Sequence, residues 1–139
     1  MAIKRSATAH WSGNGKEGKG TVTTESGVLS ANNYSYKTRF EEGIGTNPEE
    51  LIGAAHAGCF SMKLAFVLQA AQITAESIDT KAIVLLDQGT IIEIQLYTRV
   101  KAGGLDQAAF ETYAQEAKAT CPVSKLLNAT ITLDAELVA

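Results

Sequence analysis

The spacing of apolar positions changes along the chain, and each change marks an element. Residues 6–12 and 20–26 are short β-prone stretches on either side of a glycine-rich run, 13–20, which predicts a hairpin and its loop. Over 34–40, Tyr34, Tyr36, Thr38 and Phe40 alternate with Ser35, Lys37 and Arg39, which predicts a strand with Arg39 on its outer face. A helix is predicted over 48–71. Asn47 is a good N-cap, Pro48 suits the first helical position, and Glu49 and Glu50 complement the positive end of the dipole. Residues 77–87 and 90–100 predict a long hairpin turning at Gln88-Gly89, with Ile92, Ile94, Leu96, Thr98 and Val100 on one face. Residues 106–120 predict a second helix, with Phe110, Tyr113, Ala114, Ala117 and Cys121 facing inward. Pro122 then breaks the chain into a short helix ending near Leu127. A last strand carries Ile131, Leu133, Ala135 and Leu137 inward. The order of strands, helix, strands, helix, strand predicts an α+β fold with mostly antiparallel pairing, built as one domain over residues 1–139.

The helix over 48–71 is unusual in being apolar almost all round. Within 51–71, seventeen of twenty-one residues are apolar or Gly, the exceptions being His56, Ser61, Lys63 and Gln69. Those interruptions, with Gly and Ala diluting the rest, argue against a membrane span and for a central buried helix. A chain of 139 residues is short for covering every face of such a helix, so a second subunit is expected.

Composition narrows the function classes. Hydrophobic residues at 45%, charged residues at 19% and a net charge of −3 describe an ordinary globular protein whose scattered basic residues make no nucleic-acid footprint. The start, MAIKRSATAH, has no apolar run after its basic residues, so the expected compartment is the reducing cytoplasm. There, the two cysteines are expected to be either inert buried thiols or redox and catalytic groups, not a structural bridge.

The candidate chemistry centres on those cysteines. The run from Gly13 to Lys19 imitates phosphate-binding loops, but Gly20 stands where a hydroxyl residue would reach magnesium. The β-prone Thr21-Val22-Thr23-Thr24 follows where a helix is needed. Cys59 lies mid-helix without help from the dipole, so an activated thiolate there needs a cation, for which Arg39 is the candidate. Cys121, N-cap of the short helix at Pro122, has its pKa lowered by the dipole, and local physics alone names it the more reactive thiol, leaving the order of the two sulfurs open. His56 and Cys59, at i and i+3, are neighbours, which admits a Cys–His nucleophile pair or half a metal site, with only His10 and Cys121 left as soft ligands elsewhere. Glu49 and Cys59 are ten residues apart, about 15 Å along a straight helix and about 80° in rotation. They meet in one site only if the helix kinks or a partner chain supplies Glu49. Three readings stay open on the residues alone: a redox pair, a Cys–His acyl-transfer enzyme, and a non-catalytic stress-related ligand-binding dimer with inert thiols.

The run Thr46-Asn-Pro-Glu-Glu-Leu-Ile-Gly-Ala-Ala-His-Ala-Gly-Cys-Phe60, with Cys121-Pro-Val-Ser124 far downstream, resembles the osmotically inducible protein C and organic hydroperoxide resistance superfamily. His10-Trp11, Gly18-Lys-Gly20, Thr23-Thr-Glu-Ser-Gly27 and Thr38-Arg-Phe40 resemble its osmotically inducible branch. The resemblance covers essentially the whole chain. It implies an intertwined homodimer in which mostly antiparallel sheets wrap long central helices, with two sites at the interface. It implies reduction of organic hydroperoxides, and more weakly of hydrogen peroxide, by Cys59 as peroxidatic and Cys121 as resolving cysteine, with Arg39 and Glu49 as polar partners. In the hydroperoxide-resistance branch the arginine lies in the first hairpin, where this chain has Lys16 and Lys19. No cofactor or metal is implied, and neither nucleic acid nor membrane is an expected partner. The implied reductant is an external dithiol or a lipoylated protein.

Overall fold

A computed structural model describes residues 1–138, and the last residue of the expected domain, Ala139, lies outside them. Its elements are β1 (Ala7–Ser12), β2 (Lys19–Thr24), β3 (Asn32–Tyr34), α1 (Tyr36–Phe40), α2 (Pro48–Ala70), β4 (Ser77–Asp87), β5 (Thr90–Lys101), α3 (Gln107–Thr120), α4 (Pro122–Leu126) and β6 (Thr130–Val138). They form two compact units, Met1–Leu51 and the chain from Ile52 onward.

The first unit is an antiparallel sheet in the order β1-β2-β3. The loop between β1 and β2 is organised by Asn14, whose Oδ1 accepts from the backbone N–H groups of Lys16 at 3.1 Å and Glu17 at 2.7 Å. It is a hairpin loop leading into a strand, as expected, and lacks the helix a phosphate site needs. Gly20 pairs with both Trp11 and Tyr34, whose rings pack at 5.4 Å between centroids. A Cβ at Gly20 would stand 2.5 Å from the Tyr34 ring and 2.6 Å from the Trp11 ring, so only glycine lets these aromatics close over the strand.

The strand expected over 34–40 is corrected. β3 ends at Tyr34, and Tyr36–Phe40 is a short helix. Ser35 and Thr38 form a capping box, Ser35 N–H donating to Thr38 Oγ1 at 2.8 Å and Thr38 N–H to Ser35 Oγ at 3.4 Å. These local bonds give the backbone an alternative to a ladder. Tyr36 and Phe40, which alternation puts on one face of a strand, are also at i and i+4, and their rings pack at 4.9 Å.

The second unit is the sheet β4-β5-β6 with helices on one face. β4 and β5 are antiparallel, and Gln88 and Gly89 turn the hairpin with φ of 49° and 80°, as a tight two-residue hairpin requires. β6 runs parallel to β5, since α3 and α4 carry the chain across before it returns. The core joins Phe60, Leu64 and Leu68 of α2 to Ile94, Leu96 and Val100 of β5 and to Phe110, Ala114 and Ala117 of α3. Ile92 was expected on one face with Ile94, Leu96, Thr98 and Val100, but the register slips at Leu85/Leu86, pairing Leu86 with Ile91, and Ile92 is exposed while those four are buried.

α2 has the length and composition of a spanning helix, yet one side of it, His56, Phe60, Leu64 and Leu68, is wholly buried in this unit. Its other side is bare: Ala54, Ala55, Gly58, Met62, Ala65 and Phe66 recur at helical spacing and are exposed, Met62 at 65% and Phe66 at 58%. Met62 and Phe66 are therefore open on the chain, whereas Phe60 belongs to the core.

Candidate active site

Each cysteine is set by its own element. Cys59 rides on α2, while Cys121 ends α3 and begins α4, where Pro122 at the first helical position makes the restart sharp. The two sulfurs meet at 3.0 Å across 62 residues of sequence, both free thiols, and in the doubly protonated pair the Cys121 thiol donates to Cys59. Their exposure differs: Cys121 is wholly buried and Cys59 only half-buried.

Their acidities differ in the opposite sense. Burial pushes the Cys59 thiol up and the hydrogen bond with Cys121 adds to this, against a Val123 backbone N–H and the charge of Lys63. Burial also opposes a Cys121 thiolate. It is outweighed by the Cys59 hydrogen bond, the N–H groups of Ser124 and Val123 and the Ser124 hydroxyl, and Cys121 ends below the ordinary thiol value. The sulfur makes no full capping hydrogen bond to α4, so these groups act as polar neighbours at a helix N-terminus. Once the first proton leaves, Cys59 becomes the donor to a Cys121 thiolate. Within one chain, the more acidic thiol is the one solvent cannot reach.

His56 does not pair with Cys59. Its Nε2 lies 2.8 Å from Ser124 Oγ, while its buried Nδ1 has no hydrogen-bond partner among the described residues. Burial lowers its pKa, so the ring is held neutral. The Cys–His dyad admitted by the spacing is thus replaced by a His56–Ser124 pair. Lys63 and Ser124 are functional neighbours not assigned from the sequence. Lys63 stands at i+4 from Cys59 on α2, a legible spacing, but the approach of Ser124 to His56 is tertiary.

Arg39 and Glu49 meet within the first unit. Arg39 Nε donates to Glu49 Oε1 at 3.0 Å and Nη2 to Oε2 at 2.9 Å, a two-pronged clamp. The Glu49 side chain is 11% exposed and that of Arg39 39%. The first-turn placement of Glu49 does not account for this pairing. Arg39 sits on α1, not on the outer face of a strand, and its guanidinium also lies over the ring of the next residue, Phe40, 5.1 Å from the centroid.

The family described as OsmC-like protein matches residues 41–136. The Escherichia coli K12 protein named peroxiredoxin OsmC is 52% identical over 141 residues, covering 99% of each chain. A Mycoplasma pneumoniae protein named organic hydroperoxide resistance protein-like is 31% identical over 135 residues, covering 92% of this chain and 90% of its own. The crystal structure of an OsmC-like protein from Mycoplasma pneumoniae superposes over the whole of both chains with a TM-score of 0.78 at 15% identity, a likeness of fold. With the family matched over residues 41–136 and a relative 52% identical over 99% of the chain, the chain belongs to the OsmC-like protein family.

Proposed function

We propose that the chain is a cysteine-based peroxidase that reduces organic hydroperoxides, and hydrogen peroxide more weakly, with Cys59 as the attacking thiol and Cys121 as its resolving partner. The observation that carries this is the half-buried Cys59 sulfur 3.0 Å from a wholly buried Cys121 sulfur. A peroxide reaches the first, and the second is in place to close a disulfide. The names peroxiredoxin and organic hydroperoxide resistance borne by the relatives support the same substrate class.

The Cys59 thiolate attacks the distal peroxide oxygen, the O–O bond breaks, and the alkoxide leaves as alcohol on taking a proton. Cys59 is left as a sulfenic acid. Cys121 attacks that sulfur, and the S–S bond forms as hydroxide departs and is protonated to water. An external dithiol, free or on a lipoylated protein, then supplies the two electrons that restore both thiols. No bound cofactor enters the cycle.

Cys59 needs a cation that its own surroundings supply only weakly. We infer that a second copy of the chain brings the Arg39–Glu49 clamp to it. In that homodimer the exposed apolar side of α2 is covered, and residues 1–139 work as a single domain. α2 runs as one helix from Pro48 to Ala70, which favours a Glu49 supplied by the partner over one arriving through a break in the helix. The clamp orients the guanidinium to hold the thiolate and polarise the peroxide. The reading includes a cytoplasmic location. The acyl-transfer alternative is not favoured, because His56 spends its hydrogen bond on Ser124. Stopped-flow mixing of the reduced protein with cumene hydroperoxide, with thiols counted afterwards, tests the function. Two thiols lost per peroxide reduced, as one Cys59–Cys121 disulfide, is expected. Peroxide left unconsumed would overturn it.

A further inference from the structure

We propose that His56 and Ser124 form a relay in which His56 Nε2–H donates to Ser124 Oγ, turning the Ser124 hydroxyl hydrogen toward Cys121 and readying that sulfur as the resolving nucleophile. Ser124 acts on the reacting sulfur, and His56 is a positioning residue behind it. The assignment rests on the peroxidase reading for its role in turnover, though not for its geometry.

The argument begins with the orphaned nitrogen. His56 is wholly buried and held neutral, so its ring carries one N–H. Its Nδ1 has no partner among the described residues, while Nε2 is 2.8 Å from Ser124 Oγ. A buried N–H without an acceptor is costlier and rarer than a lone pair without a donor. The hydrogen therefore belongs on Nε2 and the lone pair on Nδ1. Nε2–H then donates to Ser124 Oγ, and the hydroxyl hydrogen is left for another acceptor. Ser124 is three residues after Cys121 in the first turn of α4, and its hydroxyl is among the groups that favour the Cys121 thiolate. The opposite tautomer would draw the hydroxyl hydrogen to His56 and leave the oxygen accepting from a protonated Cys121, which disfavours attack.

The titratable groups around the sulfurs are few: Cys59 and Cys121 act on each other, Lys63 acts on Cys59, and His56 stands behind Ser124. In the resolving step the relay loses no proton. Cys121 attacks as thiolate, and the leaving hydroxide takes its proton from solvent.

The test has two arms. In a Cys59→Ser background, ultraviolet titration of the Cys121 thiolate should show Ser124→Ala and His56→Leu raising its pKa by about one unit, the effect of one hydrogen bond to a charged group. His56→Gln places an amide N–H where Nε2–H stood, and is expected to keep the wild-type value. In the intact pair, a pulse of peroxide gives Cys59 oxidation and disulfide closure in one trace. Ser124→Ala should slow closure relative to oxidation by about threefold at neutral pH, since tenfold less thiolate is partly offset by its greater nucleophilicity. The deficit should vanish as pH rises. An unmoved titration in Ser124→Ala, which is free of the folding risk of a buried histidine variant, would overturn the relay. So would equal upward shifts in His56→Gln and His56→Leu. A wild type that never oxidises Cys59 would instead overturn the peroxidase reading, and the titration arm would still decide the relay.

Discussion

Cys59 and Cys121 touch at 3.0 Å, yet the half-buried member holds its proton more tightly and the wholly buried member gives it up more easily. Exposure and acidity thus distinguish the two sulfurs. On the proposed reading a peroxide approaches Cys59, the sulfur with solvent access, and a sulfenic acid formed there faces the Cys121 sulfur already in contact.

Cys59→Ser is therefore expected to abolish peroxide consumption. Cys121→Ser should reduce one peroxide per chain and stop at Cys59 sulfenic acid, seen by mass spectrometry as a dimedone adduct on Cys59. Sustained turnover by Cys59→Ser would assign the attack to Cys121, the more acidic thiol.

His56 is expected to make the protein sensitive to acid. Its folded pKa lies below the ordinary histidine value, so between the two the unfolded chain binds a proton that the native state does not. Stability then rises with pH across that window. It is fully present above about 6.5, the unfolded value, and is lost as pH falls toward the folded one. Urea midpoints measured on wild type and His56→Gln should differ in slope over this range, the variant being flatter. Parallel profiles would mean that His56 is protonated equally in both states.

Much of this fold was legible because its punctuation is local. Asn47, whose Oδ1 accepts the Glu50 N–H at 2.7 Å, and Asp106, which accepts the Ala109 N–H at 2.8 Å, start α2 and α3 where the sequence places them. Residues 34–40 misled because Tyr36 and Phe40 satisfy the period of a strand and the i, i+4 spacing of a helix alike, and the Ser35–Thr38 box decided between them. Ile92 was misplaced because a bulge leaves no mark on alternation. At the site, the place of Cys121 at the start of α4 was readable from Pro122, but the Cys59 hydrogen bond that does most to lower its pKa is a tertiary contact. The His56–Ser124 bond spans 68 residues and exists only once α2 and α4 are assembled.

Gly20 is a stability determinant of the first unit. Gly20→Ala puts a methyl group into the Trp11 and Tyr34 rings at 2.6 and 2.5 Å, and both rings must move. A loss of about 1–3 kcal/mol is expected from overpacking of this kind, read as a lower urea midpoint with tryptophan fluorescence reporting the displaced ring. An unchanged midpoint would show that the aromatic pair can swing aside without cost.

The bare side of α2 predicts association. Phe66→Glu or Met62→Glu sets a charge within an apolar stripe that a second copy is expected to cover. Sedimentation should show the wild type at twice the chain mass and the variants shifted toward one chain, with activity falling in step. A monomeric wild type would leave the stripe without its expected occupant.

The last prediction asks which chain serves which sulfur. Arg39 and Glu49 are clamped to each other within one chain, so a partner that supplies one supplies both. Cys59→Ser and Glu49→Ala are each expected to be inactive as homodimers. In their heterodimer, one site joins the intact Cys59 of the second variant to the intact clamp of the first, and the other site lacks both. Random reassortment of equal amounts should then restore about a quarter of the wild-type rate. Exchange is expected to need refolding of the mixture, because an interface with the apolar character of a core separates slowly. Heterodimers isolated by differential tags, and inactive, would place the clamp and the cysteine of each site in the same chain, and α2 would then have to bend to bring them together.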